Sequence, residues 1–562
     1  MRAFIRIAMT LFLLQLGVVS LCAQLPNCPL RPDPGTLVRN PLNLSSGNGV
    51  LNVDLTLRNG VDQYGFMHYC YDYASDVSPG PGIEAPTLRL YPGDHLVLNL
   101  TNRIQPHPPD GGNLTGGMEA GAGASGGDPC TTEAMGPTVT NVHFHGLSIP
   151  PVCHQDDVIN TAIQSGDAPF QYKIQIPENE PPGLYWYHPH PHGYTTTQVE
   201  GGASGALIVE GIEKLRPEVA GLQERVLILR QQFYNANSWI PGPFQFTVNF
   251  QTSQPELYPL PVIGMVPNKK EFWRFLNSSG QAFVSLQVQY AGVAQPIELI
   301  EIDGVPIVTP RYVTSFRVPP AGRVEFIVPG LPAGETGQLV TTGVYTGKLG
   351  NANPAAQLAN IMPLGSENGT DALPSSSHPL PAVPQRFSGL ETAVPTAKRK
   401  LYFSEIFVTP TVVKYLITVE GQIPKSYTPD EPPAIVTNVG AVEDWTVENR
   451  AAEVHAFHMH QLHFLVMAEN GHPALNPALQ DTVIVPAWDG QGPYPSVTLR
   501  MDFRDPEIAG TFLYHCHITD HEDGGMMAKI LVKPAGDEGQ AAASGGLPKA
   551  KLAKNKVRQS GL

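Results

Sequence analysis

Three stretches of the chain share one pattern: GDHLVLNLTN (93–102), NKKEFWRFLN (268–277) and GAVEDWTVEN (440–449). Each opens on Gly or Asn, runs through apolar residues and closes on Asn, and the copies begin 175 and 172 residues apart. One such strand carries no information; three at nearly equal spacing imply one fold used three times. The chain of 562 residues has room for several cores of ordinary size. Gly (55) and Pro (56) make up about a fifth of it, against roughly 12 % in an average protein, and charged residues are scarce at 15 %. Runs such as RVLILRQQF, RVEFIVPG and MMAKILVKP are short and bounded by turn residues, and no long amphipathic stretch occurs. The expectation is an all-β chain.

The repeats set expected boundaries: a first domain over 24–212, a second over 222–365 and a third over 397–534. Residues 366–396, rich in Ser, Pro and Gly, read as a linker, and the basic tail 535–562 as solvated and disordered. Residues 1–23 have the layout of a cleavable export signal, with Arg2 and Arg6 ahead of an apolar run from Ile7 to about Val19. The protein is therefore expected in a periplasm or secreted. That apolar run is too short to span a bilayer, and no later segment qualifies. A net charge of −15 argues against a nucleic-acid partner, which would call for basic stripes. Of six cysteines, Cys22 falls in the signal, leaving five. If Cys516 is reserved for a metal, Cys28, Cys70, Cys130 and Cys153 can form two disulfides in three ways. Cys130–Cys153 is the preferred pair, because it would clamp the glycine-rich loop 110–127.

More than half of the 18 histidines fall in four clusters: TNVHFHGL (His143, His145), GLYWYHPHPHG (His188, His190, His192), EVHAFHMHQLH (His455, His458, His460, His463) and GTFLYHCHITDHEDGGMM (His515, His517, His521). Two lie in the first domain, two in the third and none in the second. Residues i and i+2 of a strand point to one face, so each HxH presents two imidazoles to one side. In HCH the parity splits, with His515 and His517 on one face and Cys516 on the other. In HAFHMH, His458 and His460 share a face and His455 sits at odd offset. Two metal sites are thus expected back to back. Cys516 with His455, His521 and Met526 is the ligand set of a blue-copper centre. Zinc competes less well, since methionine is an unusual ligand for it. The other side gathers eight imidazoles, enough for three copper ions and an exogenous ligand.

HFHG, HPH, HAFHMH and HCHITDHEDGGM resemble the copper signatures of three-domain multicopper oxidases of the bacterial, laccase-like type. The resemblance implies three consecutive cupredoxin-like Greek-key sandwich domains and four copper ions. By that likeness His455, Cys516, His521 and Met526 hold type 1 copper, and His143 and His458 type 2. His145, His188, His190, His460, His515 and His517 hold the type 3 pair. His95, His192 and His463 match no ligand position. The implied reaction couples four one-electron oxidations of a reductant to reduction of O2 to two waters. Glu522 resembles the family's proton-relaying acid, with Asp156 and Asp157 as candidates for a second. A phenolic or aromatic reductant is the first expectation. A cuprous or other metal ion is the alternative, weakened by the absence of a methionine-rich insert. Loop 486–495, with Trp488 and Tyr494 but also Asp489, is placed near the type 1 site by the same analogy. A copper nitrite reductase, a simple electron carrier and a non-catalytic scaffold leave the full histidine set unexplained. A monomer is expected.

Overall fold

The computed structural model describes residues 28–63, 67–75, 85–106, 128–131, 135–233, 244–364, 386–409 and 412–535. The expected signal segment, the loop 110–127, the linker as far as 385 and the tail from 536 lie outside the described residues. Among those described, the chain is almost wholly β, and its six sheets fall into three pairs. No described helix is long and apolar enough to cross a membrane.

The three repeated strands take one topological position. His95–Asn102, Glu271–Asn277 and Ala441–Asn449 each pair in parallel with an earlier strand on one side and antiparallel with a later strand on the other. The closing Asn explains the pattern. Asn102, Asn277 and Asn449 are fully buried. Each uses its side-chain oxygen to accept the amide N–H two residues on, at Ile104 (2.9 Å), Ser279 (3.3 Å) and Ala451 (2.9 Å). Each also donates Nδ2 to loop carbonyls: Thr138 and Ile163 for Asn102, Ala282, Val318 and Pro319 for Asn277, Glu453 and Pro486 for Asn449. The residue therefore satisfies backbone groups that the strand end would leave buried and unpaired.

Each sheet pair encloses its own apolar core. The first holds Leu55, Leu98 and Tyr187, the second Trp273 and Phe326, the third Trp445 and Phe503. A further cluster joins the first two sandwiches, where Leu184, Trp186 and Ile208 meet Val226, Ile228 and Leu276. Strand Gly183–His188 is buried on both faces for this reason, which matches its unbroken run of large residues.

Cys28–Cys70 and Cys130–Cys153 are disulfide-bonded, with Cα atoms 5.9 and 5.6 Å apart, and Cys516 is free and buried. One expectation needs correcting. The described end of the predicted linker, 386–396, packs onto the body of the protein. Arg386 bridges Glu180 (2.8 Å) and Asp505 (2.7 Å), and Leu390 packs with Val442 and Leu465. Its turn-rich composition reflects chain reversals over a surface rather than freedom.

Asn449→Ala, Asn277→Ala and Asn102→Ala should each lower the free energy of unfolding by about 1–3 kcal/mol, because buried carbonyls lose their donor. Urea unfolding of the three variants checks this; losses below about 0.5 kcal/mol, the range of surface substitutions, would sink it.

Candidate metal centre

Strand pairing aligns the histidines before any metal is considered. In the first sandwich His143 lies opposite His188 and His145 opposite Trp186. In the third, His458 lies opposite His515 and Phe457 opposite Cys516. Directly opposed residues share a face, so His143 and His188 project together, as do His458 and His515. His190, His460 and His517 continue these rows just past the strand ends. The two rows meet across the boundary of the first and third sandwiches, where His143 stacks on His460 and His145 on His458, both with centroids 4.0 Å apart. Three groups result: His143, His145 and His458; His145, His188 and His517; His190, His460 and His515. Within each, the candidate ligand atoms lie within 4.8 Å of one another.

Cys516 faces the other way, as its parity requires. Its Sγ is 3.5 Å from His455 Nδ1 and 3.9 Å from His521 Nδ1, and those two nitrogens are 3.2 Å apart. Met526 is fully buried beside them. Its carbonyl accepts the Cys516 N–H (3.1 Å), and its N–H donates to the His521 carbonyl (2.9 Å).

Some ring nitrogens are tied to protein acceptors and others are left unpartnered. Nδ1 of His188, His458 and His515 donates to the carbonyls of Pro189 (2.9 Å), Asp481 (2.9 Å) and Cys516 (3.0 Å), and Nδ1 of His143 meets Asp156 (2.9 Å). Nε2 of His143, His188 and His458, Nδ1 of His145 and His460, and both nitrogens of His517 are buried without a hydrogen-bond partner. Each such orphan costs about 1–3 kcal/mol in a protein interior, so several converging ones argue for a bound cation that favours imidazole. Copper fits this donor set, and tying one nitrogen of a ring fixes the tautomer that presents the other.

Electrostatics differ between the two sides. Burial first, then repulsion among neighbouring imidazoles, holds His143, His145, His460 and His517 well below the usual histidine range, and burial foremost takes His190 to about 3 and His458 to about 4. At the thiolate side, burial alone would raise Cys516, but His455 and His521 outweigh it and bring the thiol to about 6.

Of the acids expected near the cluster, two are there. Asp156 bonds His143 Nδ1 through both oxygens (3.0 and 2.9 Å) and accepts the Phe144 N–H (3.0 Å). Glu522 has Oε1 at 3.4 Å from His190 Nε2 and Oε2 at 3.3 Å from His515 Nδ1. Asp157 is not: its carboxylate closes a turn on the N–H (3.1 Å) and side chain (3.0 Å) of Asn160. The turn takes the second of these adjacent acids. His463 donates to the Asp303 carbonyl (2.6 Å), His192 packs edge-on against Tyr427 and His95 is exposed.

Three acids at the site escaped sequence reasoning. Asp481 Oδ1 lies 3.1 Å from His145 Nε2, Glu405 Oε1 3.4 Å from His455 Nε2, and Glu453 Oε1 3.2 Å from His521 Nε2. Glu453 was legible in part, since it stands two residues before His455 and shares its face. Nothing local marks Glu405, which arrives on strand Ala397–Thr409, or Asp481, which directly precedes strand Thr482–Val485. Loop 486–495 docks beside Glu453, with the Trp488 N–H bonded to the Ala451 carbonyl (2.9 Å) and Trp488 packed on Tyr494.

A pH dependence follows for the metal-free protein. Buried neutral histidines with folded pKa values near 3–4 take up protons only after the unfolded chain does, near 6.5. Their contribution to stability is complete above about 6.5 and is lost as pH falls towards 3–4. Raised carboxyls such as Glu522 act in the opposite sense. The melting temperature of metal-free protein should fall from pH 7 to 5, and fall less in a His190→Gln/His458→Gln variant. Equal slopes in the two proteins would contradict this origin.

A multicopper oxidase family model matches residues 133–214 and a second multicopper oxidase model residues 407–536. The multicopper oxidase mco of Staphylococcus haemolyticus is 20 % identical over 496 residues, covering 86 % of this chain and 89 % of its own. A laccase of Haloferax volcanii is 24 % identical over 415 residues, covering 70 % of this chain and 67 % of its own. In fold, the chain is similar to a multicopper oxidase from Campylobacter jejuni described as a metallo-oxidase, with a TM-score of 0.63 at 22 % identity over 91 % of this chain and 98 % of that one. Its repeated sandwiches and back-to-back histidine and thiolate sites thus stand in a chain that matches multicopper oxidase models in its first and third domains and is similar over most of its length to multicopper oxidases, oxygen-using oxidoreductases built on cupredoxin-like domains.

Proposed function

We propose that the protein is a four-copper oxidase that takes electrons at the Cys516 centre and reduces dioxygen to water at the histidine cluster, with a low-valent metal ion as its reductant. The observation that carries the oxidase reading is one strand, Gly510–Cys516, whose last residue turns to His455 and His521 while His515 beside it enters the cluster. His455, Cys516, His521 and Met526 would hold one ion. His143 and His458 would hold a second, His145, His188 and His517 a third, and His190, His460 and His515 a fourth. Bound copper would supply one-electron oxidation at the first position and dioxygen reduction at the other three. The chain's own part is to keep these sites apart yet joined through Cys516, to exclude water by burial, and to bring protons. Glu522 stands beside His190 and His515 as the donor on the cluster side, and Asp156 orients His143.

The metal-ion reading rests on Glu405 and Glu453. They meet the outer edges of His455 and His521, the two imidazoles through which an external donor would deliver an electron. They also adjoin, each acting on the other's protonation. Tyr415, opposite Glu405 in its hairpin, stacks on His521 at 4.1 Å. A carboxylate pair at this edge attracts a cation and suits a hard or borderline metal ion. The phenolic expectation is the second reading. It draws on Phe407, 51 % exposed and two residues from Glu405 on the same strand, as an aromatic rim. The relative named a laccase and the neighbour described as a metallo-oxidase stand on either side of this choice. Export is proposed as well, supported by two disulfides, which persist in oxidising compartments.

Oxygen uptake by copper-loaded protein, offered ferrous ion, a stabilised cuprous complex and a methoxyphenol in parallel, tests the assignment. Metal ions should be the faster substrates, and Glu405→Gln/Glu453→Gln should raise their KM about tenfold, a loss of ~1.4 kcal/mol of attraction, while sparing the phenol. Faster uptake with the phenol, unchanged by that variant, would return the protein to the laccase-like reading. No uptake from a blue, fully loaded protein would overturn the oxidase itself. Separately, Glu522→Gln should slow turnover by about 10²-fold, the lower range for loss of a general acid, with the blue absorption intact. Full activity in that variant would remove Glu522 from the proton path.

A further inference from the structure

The middle sandwich contributes none of the clustered histidines, yet one of its side chains ends beside them. Arg323, at the start of strand Arg323–Val328, is completely buried. Its Nη1 and Nη2 donate to Asp481 Oδ1 (2.8 Å) and Oδ2 (2.6 Å) as a two-pronged pair, and its Nε donates to the Leu184 carbonyl (3.2 Å). Asp481 belongs to the third sandwich and Leu184 to the first, so one guanidinium touches all three. The planar fork is what permits this; lysine offers a point charge without the geometry.

Asp481 in turn addresses two histidines. Its Oδ1 accepts from His145 Nε2 (3.1 Å), and its backbone carbonyl accepts from His458 Nδ1 (2.9 Å). The nitrogens left over, His145 Nδ1 and His458 Nε2, are among the unpartnered atoms that face the cluster. These two rings form one of the two pairs that stack across the boundary of the first and third sandwiches. The approach is close enough to dictate a neighbouring residue. Gly146, at φ +89°, follows His145, and a Cβ there would lie 2.6 Å from Arg323 Nη2 and 2.8 Å from Asp481 Oδ2. Asp303 completes the junction, accepting the Arg323 N–H (2.9 Å) and the His463 ring N–H (2.6 Å).

We propose that Arg323 is a positioning residue of the histidine cluster, supplied by the copper-free middle domain to hold Asp481 and, through it, the orientation and tautomer of His145 and His458. This rests on the reading of the cluster as a copper site. The thiolate centre needs no such help, because His455, Cys516 and His521 all come from the third sandwich. The middle domain thereby acts on one copper site and not on the other.

The test counts copper and reads spectra, without turnover. Wild type, Arg323→Gln and Arg323→Lys are loaded identically, and total copper per chain, blue absorption and the paramagnetic resonance of non-blue copper are measured. Both variants should keep the blue absorption and lose copper affinity at the cluster by about 10- to 100-fold, the usual cost of removing an outer-shell partner. Unchanged non-blue copper in both variants overturns the inference. So does full rescue by lysine, which would reduce the role to charge, and so does parallel loss of blue and non-blue copper, the mark of a merely structural residue. If neither variant folds, Asp481→Asn, which keeps the side chain's shape and breaks the pair, carries the same expectation and the same refutations. A wild-type protein that turns blue but binds no copper at the cluster would instead overturn the copper reading on which the inference stands.

Discussion

The stacked pairs His143–His460 and His145–His458 join the first sandwich to the third, and much of the molecule is arranged so that this contact can form. Two rows of imidazoles, each lined up within its own sheet by strand register, have to face each other in the protein interior. Buried imidazoles repel when protonated and cost free energy when a nitrogen goes unpaired. The contact is therefore unfavourable unless the rings stay neutral and their unpartnered nitrogens find a cation. Burial enforces the first condition, and the geometry of the unpartnered nitrogens invites the second.

Polar groups around the cluster are placed to hold that state. Carbonyls of Pro189, Asp481 and Cys516 take ring protons, Asp156 takes that of His143, and Asp481 reaches His145. Arg323 then satisfies Asp481, since a buried carboxylate without a partner is among the costliest groups a core can contain. The middle domain, lacking ligands, is tied in by this junction and by the apolar seam of Trp186, Ile208, Val226 and Leu276. The thiolate centre lies outside that arrangement and opens instead towards Glu405 and Glu453.

Much of the fold was legible because its signals are periodic. The Asn that closes each repeated strand marked three equivalent positions, and all three satisfy the same kind of loop. The alternation of His515, Cys516 and His517 gave the two faces, while the grouping of the histidines followed from the resemblance to multicopper oxidase signatures. Reading failed where a short-range rule met a long-range contact. Asp156 and Asp157 look alike in sequence, yet a turn at Asn160 claims the second. The segment 386–396 has a linker's composition, but Arg386 and Leu390 anchor it.

The sequence by itself determined which side chains share a face, because strand parity depends only on residue spacing. It thereby gave the split between a thiolate face and a histidine face, while the choice of individual histidines came from the resemblance to multicopper oxidase signatures. The tertiary structure alone decided which faces meet, and so which acids stand at each site. Glu405 reaches His455, Arg323 reaches Asp481 and Asp481 reaches His145, across 50, 158 and 336 residues of chain. No periodicity spans such separations; only the packing of sheets against one another brings those groups together.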